Sequence, residues 1–200
     1  YIRIIDYKSS IKDIDLNEVK AGIKLQLLTY MNEMCKQESA EPAGTFYYNL
    51  IEPMVKASQN MSDEQIEEEL RKQFKMRGLI LADVDIIRKM DKNLDTGSSN
   101  IIPATINKDE TLSKKASNIS KQQFEYLQKY TNKIIKQISE EILSGNINIK
   151  PYYNTKNKKT PCEYCTYKSI CQFGNGICKK EYNYISNLEK ETILEMMKEK

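Results

Sequence analysis

Two hundred residues are enough for a domain with a buried core, and 40% hydrophobic with 30% charged residues describe a globular chain. A net charge of +3 permits contact with nucleic acid without announcing it. No run approaches the roughly eighteen apolar residues of a membrane span, no signal peptide opens the chain, and the absence of histidine excludes His-dependent catalysis and Cys/His zinc sites.

The chain opens, without Met, inside an apolar β-branched run, Ile2 to Ile5, that leads into Asp6-Tyr7-Lys8. This predicts a buried strand, in a piece of a longer protein whose upstream part supplies further site groups. Residues two apart on a strand face the same side, so Asp6 and Lys8 point together. A carboxylate that holds a divalent cation beside an ammonium that steadies phosphate charge suits metal-assisted phosphodiester hydrolysis. By itself Asp-x-Lys is also what an ordinary surface ion pair looks like.

Asp15 with Glu18 predicts a reciprocally capped helix start, and Val19, Ile23, Leu27, Met31 and Met34 then recur at helical spacing as one core-facing stripe. Gln26 and Tyr30, four apart, share a neighbouring stripe and read blandly as a solvated amide and a half-buried aromatic. Ser39 to Gly44 predicts a turn, Thr45 to Leu50 a strand closed by Pro53, and Ser62 with Gln65 a charged surface helix running to about Met76 and stopped by Gly78. A short strand at Leu79 to Leu81, a helix over 83–91, a loop over 95–100, an edge strand at Ile101 to Ile106 and a mobile polar stretch over 107–118 follow. Ser120 caps the longest helix, with Phe124, Leu127, Ile134, Ile135, Ile138 and Ile142 as an apolar stripe that packs across the sheet, ended by Gly145. Beyond a basic loop at Asn154 to Lys159 come the cysteines, and a weakly amphipathic helix spans about 187–197.

Cys162, Cys165 and Cys171, spaced by two and five residues, form the most specific local pattern. Two cysteines separated by two residues reach one metal centre because the intervening turn brings the thiolates together. A fourth ligand is either Cys178, giving a zinc knuckle, or a cysteine upstream, giving a [4Fe–4S] cluster.

Taken together, Ile4 to Lys8, Gly22 to Tyr30 with its Gln-x-x-x-Tyr, Glu41 to Tyr48, and the three cysteines resemble the RecB-type nuclease domains of the PD-(D/E)xK superfamily. The likeness includes Gly78 to Leu81 and Gly145 to Ile147, and runs more narrowly to the C-terminal region of the B-subunit family of bacterial AddAB ATP-dependent helicase–deoxyribonucleases. It implies an α/β restriction-endonuclease-like core with flanking helices over residues 1–150, lacking its N-terminal part, and a Cys-rich metal element with a final helix over 151–200. It further implies that Asp6 and the Tyr7 carbonyl ligate Mg²⁺, that Lys8 is the catalytic lysine, and that Gln26 and Tyr30 line the site and contact DNA. Cys162, Cys165 and Cys171 match the family's C-terminal cluster ligands, and Cys178 is a possible substitute for the missing one. The implied activity is exonucleolytic cleavage of DNA for double-strand-break repair in the cytoplasm, with DNA and the family's helicase–nuclease A subunit as partners. No Gly-x4-Gly-Lys-[Ser/Thr] occurs among the seven glycines, so ATP binding of that kind belongs elsewhere. The rivals are the four-cysteine exonuclease of CRISPR adaptation, which shares these motifs, and a non-catalytic DNA-binding or scaffold module with structural zinc.

Overall fold

The computed structural model describes residues 1–50, 61–113, 117–173 and 181–198. Ile2–Lys8 forms β1, and Leu16–Lys20 and Gln26–Gln37 form helices α1 and α2. They cross over to β2, Pro42–Asn49, which runs parallel to β1 with Asp6 opposite Tyr47 and Lys8 opposite Asn49. Such a crossover is what a parallel pair requires.

Four expectations change in this first unit. β1 is half-buried rather than buried, because among the described residues only β2 pairs with it in the four-stranded sheet. The apolar stripe of 19–34 is two helices rather than one. Gly22 at φ +81° and Lys24 at φ +55° turn the chain between them, and Met34 ends 38% exposed. Asp15 does cap α1, accepting from the Asn17 amide, but Glu18 pairs with Lys24 instead of completing a reciprocal cap. The turn after α2 is also shorter than Pro42 and Gly44 suggest: both residues lie within β2, whose register slips by one residue between Ile2 and Arg3.

Asp63–Gln73 forms α3, with the Ser62/Gln65 capping box in place and none of its residues buried. Its end is at Phe74, so Gly78 is not its stop. Gly78 instead sits in β3, Arg77–Leu81, at φ +145°, where an added Cβ would lie 2.1 Å from the Thr45 carbonyl oxygen. Only glycine lets β2 and β3 approach that closely in their antiparallel pairing. Asp83 caps α4, Val84–Met90. The loop at 95–100 contributes β4, Gly97–Ser98, which pairs with β5, Thr105–Ile106; these two residues are all that remains of the expected edge strand. The polar stretch after it contains a hydrogen-bonded turn at Asn107 to Thr111 and then β6, Asn118–Ile119, which extends the main sheet parallel to β3. The sheet order is β1-β2-β3-β6. Pro53 lies outside the described residues.

Ser120 and Gln123 box the start of α5, Lys121–Leu143. Phe124 and Leu127 are buried as the stripe predicts, but Ile138 and Ile142 are exposed, and the next buried residues are Tyr130 and Thr131. A helix of 23 residues rises about 34 Å, whereas the eight residues of β2 extend about 26 Å. The helix therefore overruns the sheet. β7, Tyr152–Asn154, and β8, Asn183–Ile185, pair in parallel around a 3₁₀ turn at Pro161–Tyr164 and α6, Lys168–Cys171. The last helix, α7, Lys190–Lys198, is more than weakly amphipathic, because Ile193, Leu194 and Met197 are buried against the main core. Just ahead of it, the main chain of Leu188 donates to and accepts from the side-chain amide of Asn17 on α1.

Alternation along β2 and β3 divides that core. Ala43, Leu79 and Leu81 meet Leu16, Val19, Leu28, Phe124, Leu127 and Ile193 on one face, while Phe46 and Ile80 meet Met76, Ile87, Ile102 and Ile106 on the other. The sheet is a mixed α/β layer covered on both sides, and Asp6 and Lys8 belong to the α1–α2 side.

Candidate active site at the end of β1

The two-residue period of β1 and its register with β2 place Asp6, Lys8, Tyr47 and Asn49 on one surface. Lys8 Nζ lies 2.9 Å from Asp6 Oδ2, with the two side chains 30% and 22% exposed. Among the described residues the buried Oδ2 has no hydrogen-bonding donor besides this ammonium, which leaves it a further lone pair. Contact with Asp6 is the main cause that holds the Lys8 ammonium above the ordinary lysine range, against a smaller opposing effect of desolvation. Lys8 is thus held as a cation.

Gln26 opens α2, and its Nε2 donates to the Tyr30 hydroxyl at 2.9 Å one turn on. Tyr30 is near enough to act on the charge of Lys8, so β1 and α2 bring together the four residues that the sequence singles out, Asp6, Lys8, Gln26 and Tyr30. Both Gln26 and Tyr30 are exposed to solvent. Tyr7 points to the opposite face, 62% exposed and edge-on to Tyr48 with ring centroids 5.7 Å apart, so only its main chain accompanies Asp6.

Three further residues stand beside these four without being marked as site residues in the sequence. Tyr47 is 5% exposed, with the Lys8 ammonium 5.8 Å from its ring centroid, and burial pushes its phenol above the usual range. Glu18 and Lys24 form an ion pair at 2.5 Å. Lys24 Nζ also donates to the Asp13 carbonyl at 3.2 Å, and Asn154 Nδ2 donates to Glu18 Oε1 at 3.3 Å. Both charges act on Tyr47 as well. This pair fixes the bend that delivers Gln26. The alternation that puts Tyr47 beside Asp6 becomes legible once β1 and β2 are paired; nothing local marks Glu18 or Lys24.

The cysteines are placed differently. Cys162 sits in the 3₁₀ turn capped by Thr160, Cys165 is exposed just after it, and Cys171 ends α6. Among the described residues no three Cys, Asp or Glu side chains are gathered so as to hold a metal ion. Cys178 lies outside the described residues. Asp6, with a further lone pair on its buried oxygen, fits a divalent cation as one ligand.

Residues 1–172 match the family model described as the PD-(D/E)XK nuclease superfamily. The B subunit of the ATP-dependent helicase/deoxyribonuclease of Thermoanaerobacter sp. (strain X514) is 42% identical over 202 residues, covering 98% of this chain and 17% of that protein. The proteins of the same name from Bacillus thuringiensis (strain Al Hakam) and Acetivibrio thermocellus are 40% and 38% identical, over 100% and 98% of this chain. The chain thus spans 17–18% of the length of these curated relatives. With the Asp-x-Lys strand end and the Gln-x-x-x-Tyr helix facing each other, and the family model covering all but its last stretch, this chain belongs to the PD-(D/E)XK nuclease superfamily.

Proposed function

We propose that this region is the Mg²⁺-dependent deoxyribonuclease domain of a cytoplasmic helicase–nuclease. It would hydrolyse DNA strands that the larger assembly unwinds during double-strand-break repair by recombination. The observation that carries this reading is the Asp6–Lys8 pair at the end of β1, with Gln26 and Tyr30 presented beside it. The relatives' name, which makes each of them the B subunit of a helicase/deoxyribonuclease, supports a partner A subunit and DNA as substrate. No helix of the described residues is long and apolar enough to cross a membrane.

In this reading Asp6 and the Tyr7 carbonyl hold Mg²⁺, which when bound polarises the phosphate and acidifies a water molecule. Lys8, kept charged by Asp6, orients the attacking water and stabilises charge building on the phosphate oxygens. Gln26 and Tyr30 hold the strand so that water meets phosphorus in line, with no covalent enzyme intermediate. The test is Mg²⁺-dependent degradation of single-stranded DNA by the full-length polypeptide together with its partner, comparing wild type with Lys8→Ala. Loss of cleavage in a folded variant supports the reading, and wild-type rates in the variant overturn it.

The reading extends to Cys162, Cys165 and Cys171 as three ligands of a [4Fe–4S] cluster completed by a cysteine elsewhere in the full polypeptide. Three cysteine side chains on a 3₁₀ turn and a short helix suit such a centre chemically. A second reading, a non-catalytic DNA-binding module with zinc on these thiols, draws on the same spacing of Cys162, Cys165 and Cys171. Zinc rather than iron after anaerobic purification, with no cleavage by the full assembly, would establish it.

A further inference from the structure

β2 turns Thr45, Tyr47 and Asn49 toward the surface that carries Asp6 and Lys8. Tyr47 is 5% exposed, and its ring face lies under the Lys8 ammonium at 5.8 Å. An ammonium within about 6 Å of a ring centroid is attracted by the negative π face. A lysine side chain has four rotatable bonds, and Asp6 touches this one through a single oxygen. One such contact leaves the ammonium free to pivot. The Tyr47 ring supplies the second surface, closing off the directions that would carry Nζ down into the sheet. Burial keeps the phenol neutral, so no second negative charge competes with Asp6 for the lysine. At the next same-face position Asn49 Oδ1 accepts from the Lys12 amide at 2.8 Å, pinning the chain just beyond Lys8.

We propose that Tyr47 is a positioning residue for Lys8, its ring face and the Asp6 carboxylate together holding the ammonium at the mouth of the site. The placement stands on geometry alone; its consequence for cleavage rests on the function proposed above.

The test uses the full-length polypeptide and two readouts: the rate at which acetyl-N-hydroxysuccinimide labels Lys8, followed by peptide mass spectrometry, and the kcat and KM for single-stranded DNA. Tyr47→Leu is expected to raise Lys8 labelling, because an ammonium freed from the ring face swings out to where the reagent reaches it, with Lys20 and Lys36 unchanged. In the same variant kcat falls about tenfold or more while KM stays within about twofold, the pattern of a misplaced catalytic group. Tyr47→Phe, which keeps the ring, returns both values to near wild type. Unchanged Lys8 labelling in a folded Tyr47→Leu protein overturns the proposal, as does Tyr47→Phe behaving like Tyr47→Leu. Tyr47→Met serves as the ring-free variant if Tyr47→Leu does not fold. Labelling that changes as described, alongside wild-type cleavage by Lys8→Ala, leaves the placement standing and removes the nuclease reading.

Discussion

The end of β1 and the cysteine element are both candidate sites, yet the chain assembles them in opposite ways. At the end of β1 a hydrogen-bonded strand register sets which side chains meet, and it brings Asp6, Lys8 and Tyr47 together. In the cysteine element a 3₁₀ turn and one short helix carry the three thiols, and no packed core holds them to one point. Sheet geometry prepares a site before its ligand arrives, whereas a short turn needs the ligand to gather it.

The largest effect that can break this contrast is on catalysis. Lys8→Ala should lower DNA cleavage to about a hundredth or less, the usual cost of removing one preorganised charge-stabilising group. Circular dichroism should be unchanged, because Lys8 is partly exposed and carries no core packing. Next comes the scaffold. Leu127 is fully buried between α5 and the sheet, so Leu127→Ala should cost about 2–5 kcal/mol in urea unfolding and reduce cleavage only by populating unfolded chains. The cysteine element should respond to metal rather than to packing. Cys165→Ala should lower bound iron and melting temperature together, and in metal-free protein the same substitution should change the melting temperature by under about 1 °C, since this thiol is exposed.

The smallest effect concerns a surface tie at the start of β2. Glu41 pairs with Lys121, which holds its carboxyl below the ordinary range. A depressed folded-state pKa gives stability that is present above the unfolded value and is lost as pH falls through the folded one. Glu41→Gln should therefore lower the melting temperature by about 1 °C at neutral pH, as expected of an exposed pair, and by nothing at a pH below the folded value. An equal loss at both pH values would show that Glu41 acts through packing instead of charge.

Sequence patterns translate into structure most directly where the determinants are local. Ile2 to Lys8 reads as a strand from its composition, and Ser62/Gln65 and Ser120/Gln123 announce helix starts because each box needs only four residues. The break between α1 and α2 is hidden because Val19, Ile23 and Leu27 keep helical spacing straight through it, while Lys24 is held at positive φ by Glu18 and the Asp13 carbonyl. β6 reads as polar loop because two residues carry no pattern of their own and become a strand only beside Ile80 and Leu81. Of the site, Asp6, Lys8, Gln26 and Tyr30 are visible as motifs. Tyr47, Glu18 and Lys24 are not, since their roles come from partners across the register or beyond a bend. The exposed half of α5 is misread for a related reason: apolar spacing shows which way a helix faces, not how far its cover extends.

The tie between Asn17 and Leu188 joins parts of the chain 171 residues apart, just before α7 lays Ile193 and Leu194 onto the core. During synthesis α1 leaves the ribosome long before the segment that covers it. Until α7 emerges, the surface formed by Leu16, Val19 and Leu28 is finished on one side only, and a growing chain at that stage offers chaperones or another nascent copy an apolar strip that the completed protein conceals. Pulse proteolysis of arrested chains should show α5 becoming protected only once α7 has cleared the exit tunnel; protection already present in chains arrested before Leu188 would mean that the earlier elements fold unaided.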